Sequence, residues 1–117
     1  MIKEANVTLM VSDMGRAVRF YTNVLGLKLK SRYGNNFAQV EAPGTIIALH
    51  PATEGPKPDR SESISIGFAV SDLDKERAEL ENKGVQFLRT ADDTQVRLAF
   101  FTDPDGNPLY LSQSKWG

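Results

Sequence analysis

The chain has 117 residues, of which 40% are hydrophobic and 25% charged, with a net charge of −1. This composition is typical of one small globular domain and does not favour a disordered chain or a protein that binds nucleic acid through its overall charge. The absence of cysteine excludes disulfides, thiolate nucleophiles and cysteine-ligated zinc.

The N-terminal residues carry Lys3 and Glu4 and lack the apolar stretch of a signal peptide. No apolar run approaches the length that crosses a bilayer. We therefore expect a cytoplasmic protein that does not use a membrane as a partner.

The first predicted strand is VTLMV, in which two sets of side chains alternate. The more apolar set is expected to face a core, and the set that includes the polar residues is expected to face the opposite side. The core set is Val7, Leu9 and Val11, and the opposite set is Asn6, Thr8 and Met10. Asp13, at the end of the strand, is a helix N-cap signal.

A helix is predicted from Met14 to Gly26, because apolar residues recur at helical spacing and glycine commonly ends a helix. Its apolar stripe consists of Met14, Ala17, Val18, Tyr21 and Leu25. Three strands are expected to follow, with the sequences LKLKSRY, FAQV and TIIALH.

The segment Pro51–Glu62 is rich in proline, glycine and charge and predicts a linker. Beyond it, IGFAVSDL (66–73) aligns with VTLMVSDM (7–14) at an offset of 66 − 7 = 59 residues. A second helix is predicted up to Gly84, with Leu73, Ala78 and Leu80 as its apolar residues. The strands VQFLR, RLAFF and NPLYLS are expected after it.

This internal repeat predicts an α+β fold made of two tandem βαβββ modules in one domain, residues 1–117. The strands are expected to form a curved mixed sheet around a cleft, with the helices on the outer face. Module 1 covers about residues 1–51, the linker about 52–62 and module 2 about 63–117.

Alternation assigns faces to the strands of module 2. The residues expected in the core are Ile64, Ile66, Phe68 and Val70 in one strand and Val96, Leu98 and Phe100 in another. The residues expected to face the cleft are Ser65, Gly67 and Ala69, followed by Arg97, Ala99 and Phe101.

Two stretches, VSDM…AVRFYTNVLGLKL (11–29) and FFTDPDGNPLYL (100–111), together with the repeat, resemble the vicinal oxygen chelate superfamily. This superfamily includes glyoxalase I, extradiol dioxygenases, fosfomycin-modifying enzymes and bleomycin-binding resistance proteins. The resemblance covers essentially the whole chain and implies the fold described above. It does not by itself give the function, which depends on the site.

In the metal-dependent branches of this superfamily, up to four cleft-facing strand residues, usually His and Glu, hold a divalent ion. The resemblance carries these positions onto Asn6, Ala48, Ser65 and Tyr110. They offer an amide, a methyl group, a hydroxyl and a phenol, and the phenol has an unperturbed pKa of about 10. Since divalent ions prefer imidazole, carboxylate or thiolate, we expect no metal and no other cofactor.

Three residues are candidates for catalysis: His50, Glu41 and Tyr110. His50, the only histidine, is either a general base or ligand donor in the cleft, or a strand-end side chain in solvent before Pro51. Glu41 is either a base, if buried, or an exposed carboxylate beside a turn.

Arg97 has two interpretations. Facing the cleft, it would pair with a carboxylate, phosphate or other anion; otherwise it forms a salt bridge with Glu41 or a loop acid. Trp116 is interpreted as a lid on the cleft, a subunit contact or a frayed chain end.

The expected ligand-binding set combines aromatic and apolar walls with a few polar groups, which is typical of a small-molecule pocket. It comprises Asn6, Thr8, Met10, Phe37, Gln39, Ala48, His50, Ser65, Arg97, Phe101, Tyr110 and Trp116. The expected partners are a small organic molecule and, from the resemblance, a second copy in a homodimer. The alternating Lys28, Lys30 and Arg32 indicate a solvated strand face or edge, not a nucleic-acid groove.

Two functional hypotheses follow. The first is a metal-free protein of the bleomycin-resistance type that sequesters a small aromatic or planar ligand, for which antibiotic resistance is a role that the resemblance implies. The second is a glyoxalase-like lyase or isomerase, or a dioxygenase-type enzyme, with non-standard catalytic residues or relocated metal ligands. The stretch DPDG is predicted to be a structural turn, because the closing glutamate of a calcium loop is absent.

Overall fold

The computed structural model of the protein describes residues 1–52 and 64–115. The chain divides into two compact units, Met1–Pro58 and Asp59–Gly117. Each unit contains a four-stranded mixed sheet and a helix, which confirms the predicted α+β fold of two βαβββ modules. In chain order the elements are β1 (Asn6–Val11), α1 (Met14–Arg19), β2 (Lys28–Tyr33), β3 (Phe37–Ala42), β4 (Thr45–Pro51), β5 (Ile66–Ala69), α2 (Leu73–Asn82), β6 (Arg89–Asp92), β7 (Val96–Thr102) and β8 (Pro108–Ser114).

The two sheets have the same topology, as the repeat predicts. The strand order is β1-β4-β3-β2 in the first unit and β5-β8-β7-β6 in the second. In each sheet the first strand pairs parallel with the last, and the remaining pairs are antiparallel. The basic strand β2 lies at the edge of its sheet, where exposed Lys and Arg oppose edge-to-edge pairing.

The helix of the first unit begins where predicted. Asp13 caps it, accepting a hydrogen bond from the backbone N–H of Arg16 at 3.0 Å, and this bond lowers the pKa of the Asp13 carboxyl. After Arg19 the chain continues as a π-helical turn, Phe20–Val24. The buried members of the predicted stripe are Met14, Ala17, Val18 and Tyr21.

The helix α1 packs on β3 and β4. Because side chains alternate along a strand, every second residue of these strands points towards the helix. On the side with the helix, Ala38, Val40, Ile47 and Leu49 have no exposed surface. We call the opposite side of each sheet its helix-distal face.

In the second unit, Asp72 caps α2 by accepting from the backbone N–H of Lys75 at 3.1 Å. Within α2, Leu73 and Leu80 are buried, whereas Ala78 is exposed, because the apolar stripe of this helix is narrow. The helix packs on β7 and β8. Within the described residues, no helix is long and apolar enough to cross a membrane.

The strand predicted over VQFLR exists, but its predicted bounds are wrong. Residues 85–88 have no strand structure, and the edge strand β6 begins at Arg89. Val85 is buried near the end of α2, and Phe87 packs against Phe101 with ring centroids 5.1 Å apart. Val85 and Phe87 therefore pack into the core before the strand begins. Ile64, predicted in the core, is 71% exposed, because β5 begins only at Ile66.

The faces predicted for β7 are also wrong. Ala99 and Phe101 have 0% and 1% exposed surface, and Arg97 on the same side pairs with Asp74 in the first turn of α2. The helix side of β7 thus carries Arg97, Ala99 and Phe101, while Leu98 and Phe100 lie on the helix-distal face. Phe101 pairs in register with the buried Leu109 of β8, which fixes this orientation.

The turn between β7 and β8 is structural, as predicted, and its centre is Asp103. This carboxylate is 3% exposed and accepts three hydrogen bonds of 2.7–2.9 Å. The donors are the backbone N–H groups of Asp105 and Asn107 and the side-chain amide of Asn107. Gly106 has a φ of +84°, a conformation that glycine adopts without strain.

Candidate functional site

The helix-distal face of the first sheet carries most of the polar residues predicted for ligand binding. The strand registers place Thr8 beside Ala48 and Ala48 beside Gln39, while Ser31 donates to the side-chain oxygen of Gln39 at 3.0 Å. Alternation puts the following predicted residues on this face: Asn6, Thr8, Met10, Phe37, Gln39, Glu41, Ala48 and His50. Their contact with a ligand stays a prediction.

His50 and Glu41 are not brought together by the sheet. Glu41 pairs with Ile46, four residues before His50 along β4, which corresponds to about 13 Å of strand. His50 is exposed, and its Nδ1 lies 2.9 Å from the carbonyl oxygen of Pro51. This arrangement gives no acid–base pair between the two residues. Trp116 lies outside the described residues.

In the first unit the resemblance implies metal-ligand positions at Asn6 and Ala48. Asn6 is exposed and pairs with Ile46, while Ala48 is 2% exposed between Thr8 and Gln39. A buried methyl group cannot ligate an ion, so the first unit offers one amide at these positions.

In the second unit the corresponding positions are Ser65 and Tyr110, and the aromatic ring at Tyr110 determines what this site can hold. Tyr110 pairs with Gly67, and its ring lies over that glycine. A Cβ at Gly67 would come within 2.2 Å of the Tyr110 Cζ, so only glycine leaves room for the ring in this place. Ser65 is exposed and adds a hydroxyl.

These four positions do not fit a divalent ion, because none carries a carboxylate or an imidazole. Among the described residues, no three His, Cys, Asp or Glu side chains are grouped closely enough to hold a metal. The expectation that the protein works without a metal stays a prediction.

Tyr110 belongs to a transverse row of four residues that crosses the helix-distal face of the second sheet. Arg89 pairs with Phe100, Phe100 with Tyr110, and Tyr110 with Gly67. The guanidinium carbon of Arg89 lies 3.8 Å from the centroid of the Phe100 ring, and the rings of Phe100 and Tyr110 are 5.8 Å apart. We call Arg89, Phe100, Tyr110 and Gly67 the aromatic row. The two rings are tilted by 43° to each other, and together with the guanidinium they give this face three groups on which a planar ligand can stack.

Sequence reasoning identified only Tyr110 as a site residue within this row. The predicted strand VQFLR ends at Arg89 without assigning it to a face, whereas β6 begins there, and the predicted faces of β7 put Phe100 in the core. The pairing of Tyr110 with Phe100 could have been found by extending the antiparallel hairpin back from Asp103 and Asn107, since the turn fixes the register of both strands.

Arg97 forms an ion pair on the helix side of β7 and does not lie on the helix-distal face. Its guanidinium donates to both carboxylate oxygens of Asp74, at 2.8 and 3.3 Å, and lies 3.8 Å from Asp92, which also pairs with Lys115. The hydrogen bond from Arg97 lowers the pKa of the Asp74 carboxyl, and the same contact raises the pKa of Arg97. The alternative interpretation of Arg97 as a salt-bridge residue is therefore correct, with a helix acid as the partner.

A cavity of about 250 Å³ opens at one end of the aromatic row. Arg89 and Phe100 line it, together with residues from the start of β8, the end of β7 and the segments before β5 and β6. The remaining lining residues are Ser65, Leu88, Phe101, Thr102, Gly106, Pro108 and Leu109. The cavity therefore combines apolar walls with two hydroxyl groups and one guanidinium, the composition of a small-ligand site.

The chain belongs to the Glyoxalase/Bleomycin resistance protein/Dioxygenase superfamily, whose sequence model matches residues 5–111. The chain is 34% identical to metallothiol transferase FosB of Lysinibacillus sphaericus, over 83% of this chain and 72% of that protein. It is 30% identical to glyoxalase I of Saccharomyces cerevisiae over 84% of this chain, but that match spans only 40% of the yeast protein. A solved structure from the mobile metagenome of V. Pseudocholerae is 27% identical, with a TM-score of 0.72 over 97% of this chain and 95% of that chain.

Gly67→Ala is expected to destabilise the protein by about 1–3 kcal/mol, because the added methyl group forces the Tyr110 ring to move. In a Tyr110→Ala background the same change should have little effect. Urea unfolding of the two single variants and the double variant measures this coupling. Gly15→Ala is the control, since its Cβ meets only side-chain ends: Arg19 at 3.3 Å, Asp13 at 3.6 Å and Arg32 at 3.9 Å. Equal costs of Gly67→Ala in both backgrounds would show that Tyr110 does not depend on Gly67.

Proposed function

We propose that this protein binds a small aromatic or planar organic molecule without a metal ion and sequesters it. The observation that carries this proposal is the Tyr110 ring over Gly67. The resemblance to the superfamily implies a metal-binding carboxylate at this position in its metal-dependent members. A ring in this place supplies stacking surface and one hydroxyl instead of an anionic ligand.

The chemistry of the second unit supports the same function. The aromatic row offers two rings and a guanidinium on one face, and the residues that line the cavity beside it are mainly apolar but include Ser65 and Thr102, which carry hydroxyl groups. Planar ligands gain most from such a surface, because ring stacking adds to the burial of apolar area. A second copy of the chain, as a homodimer partner, remains a prediction from the resemblance.

A second candidate is enzymatic activity, favoured by the 34% identity to metallothiol transferase FosB and by the match to glyoxalase I. Such an enzyme would need metal ligands outside the four positions described above, or catalysis by His50, Glu41 or Tyr110. The separation of His50 and Glu41 along neighbouring strands gives little support to a paired acid–base mechanism.

A thermal-shift screen of aromatic antibiotics and planar metabolites, followed by a turnover assay of each hit, separates the two candidates. A metal-free binding protein is expected to be stabilised by its ligand, which is recovered chemically unchanged. Turnover that is lost in His50→Ala or Glu41→Ala, with thermal stability maintained, would contradict sequestration and favour catalysis.

A further inference from the structure

We infer that the cavity beside the aromatic row binds a small planar anion, an aromatic or heteroaromatic carboxylate. This inference rests on the proposed binding function and adds to it the place and the charge of the ligand. Arg89, which lies over the Phe100 ring, supplies the positive charge, Leu88 and Pro108 supply apolar contact surface, and Ser65 and Thr102 carry the hydroxyl groups.

The charge preference follows from the residues that line the cavity. Arg89 is the only charged residue among the described residues that line the cavity, so the lining itself offers an anion one attractive charge. A guanidinium has five N–H donors in one plane and pairs with both oxygens of a carboxylate. At 3.8 Å from the Phe100 centroid, the Arg89 guanidinium is held on the ring face, which limits the number of conformations that binding must restrict.

The preference of the cavity for a planar, mainly apolar ligand follows from its apolar lining residues. Leu88 is 67% exposed although it lines the cavity, and its backbone N–H donates to the carbonyl oxygen of Phe100 at 2.7 Å, which fixes its place at the rim. A ligand ring over Leu88 and Pro108 would cover apolar surface that solvent now contacts.

The size of the cavity limits the ligand. Its volume of about 250 Å³ is slightly below the range of about 300–1,000 Å³ that is usual for drug-sized ligands. One ring with a carboxylate is therefore the class that fits, and benzoate is its simplest member.

The test compares three probes of similar size by calorimetric titration: benzoate, the uncharged benzamide, and cyclohexanecarboxylate, which is an anion without a flat ring. Benzoate is expected to bind about tenfold more tightly than either of the others, because it alone offers both the charge and the planar ring. Backbone amide shifts in NMR should change at Arg89 and in residues 100–102.

Arg89→Gln should weaken benzoate binding about tenfold and abolish the preference over benzamide. Arg77→Gln is the matched control, because Arg77 also lies over an aromatic ring, that of Phe87 at 4.9 Å, but does not line this cavity. It should leave benzoate binding unchanged.

The inference is overturned if benzamide binds as well as benzoate, if Arg89→Gln retains benzoate affinity, or if none of the three probes binds. Binding of neutral planar molecules without metal would leave the proposed function intact while removing the anion preference. Conversely, the protein could contain one metal ion per chain and still bind benzoate through Arg89. That result would overturn the proposed metal-free function but not this inference.

Discussion

Phe101→Ala is expected to lower the free energy of unfolding by about 3–5 kcal/mol, the range for truncating a fully buried aromatic side chain. Phe101 is 1% exposed, packs against Phe87, and pairs in register with the buried Leu109. The lost apolar contacts and the remaining cavity both contribute to this cost. Urea unfolding followed by far-UV circular dichroism measures it.

Phe100→Ala is the matched control for the same strand. Phe100 is only partly buried on the helix-distal face, so its truncation should cost less, about 1–2 kcal/mol, mainly from contacts with Tyr110 and Arg89. A larger loss for Phe100→Ala than for Phe101→Ala would mean that β7 has the opposite orientation to the one described.

Asp103→Ala is expected to cost about 2–4 kcal/mol, because it removes a buried carboxylate that accepts three hydrogen bonds. Two backbone donors and the Asn107 amide would lose this acceptor in a place that is largely closed to water. The substitution should also disturb the aromatic row, since this turn sets the register that places Phe100 beside Tyr110.

Asp93→Ala provides the comparison. Asp93 also accepts from two backbone N–H groups, those of Gln95 and Val96, and the bond from Gln95 contributes most to lowering its pKa. Its side chain is exposed, however, so water replaces the lost acceptor and the destabilisation should be clearly smaller. Similar losses for the two variants, measured by urea unfolding, would contradict a special role of burial at Asp103.

Much of the fold was predictable because local signals agree with one another. Asp13 and Asp72 each cap a helix as their Ser-Asp contexts predict, and glycines with positive φ follow both helical segments at Gly26 and Gly84. The repeat then predicted that both modules have one topology, and the two identical strand orders confirm it.

The orientation of β7 was not predictable from its own sequence, because VRLAFF is apolar on both faces. Alternation identifies which residues share a face, but it cannot say which face meets the helix when Leu98 and Phe100 compete with Ala99 and Phe101. The pairing of β7 with β8 and the packing of α2 decide this, and both are long-range features.

The aromatic row was missed for a related reason. Its four members come from four strands, and only the pairing of Phe100 with Tyr110 follows from a local turn; the registers that add Arg89 and Gly67 have no local pattern. β6 begins at Arg89 and not at Val85, because Phe87 packs in the core against Phe101, and this tertiary contact is not visible in the local sequence.

The central claim, binding without a metal, is tested most directly on protein purified without chelator, by elemental analysis combined with ligand titration before and after EDTA. We expect substoichiometric nickel, zinc, manganese and iron, and an affinity for planar ligands that EDTA does not change. One equivalent of any of these metals per chain, with ligand binding or turnover lost on its removal and restored on its return, would contradict the claim.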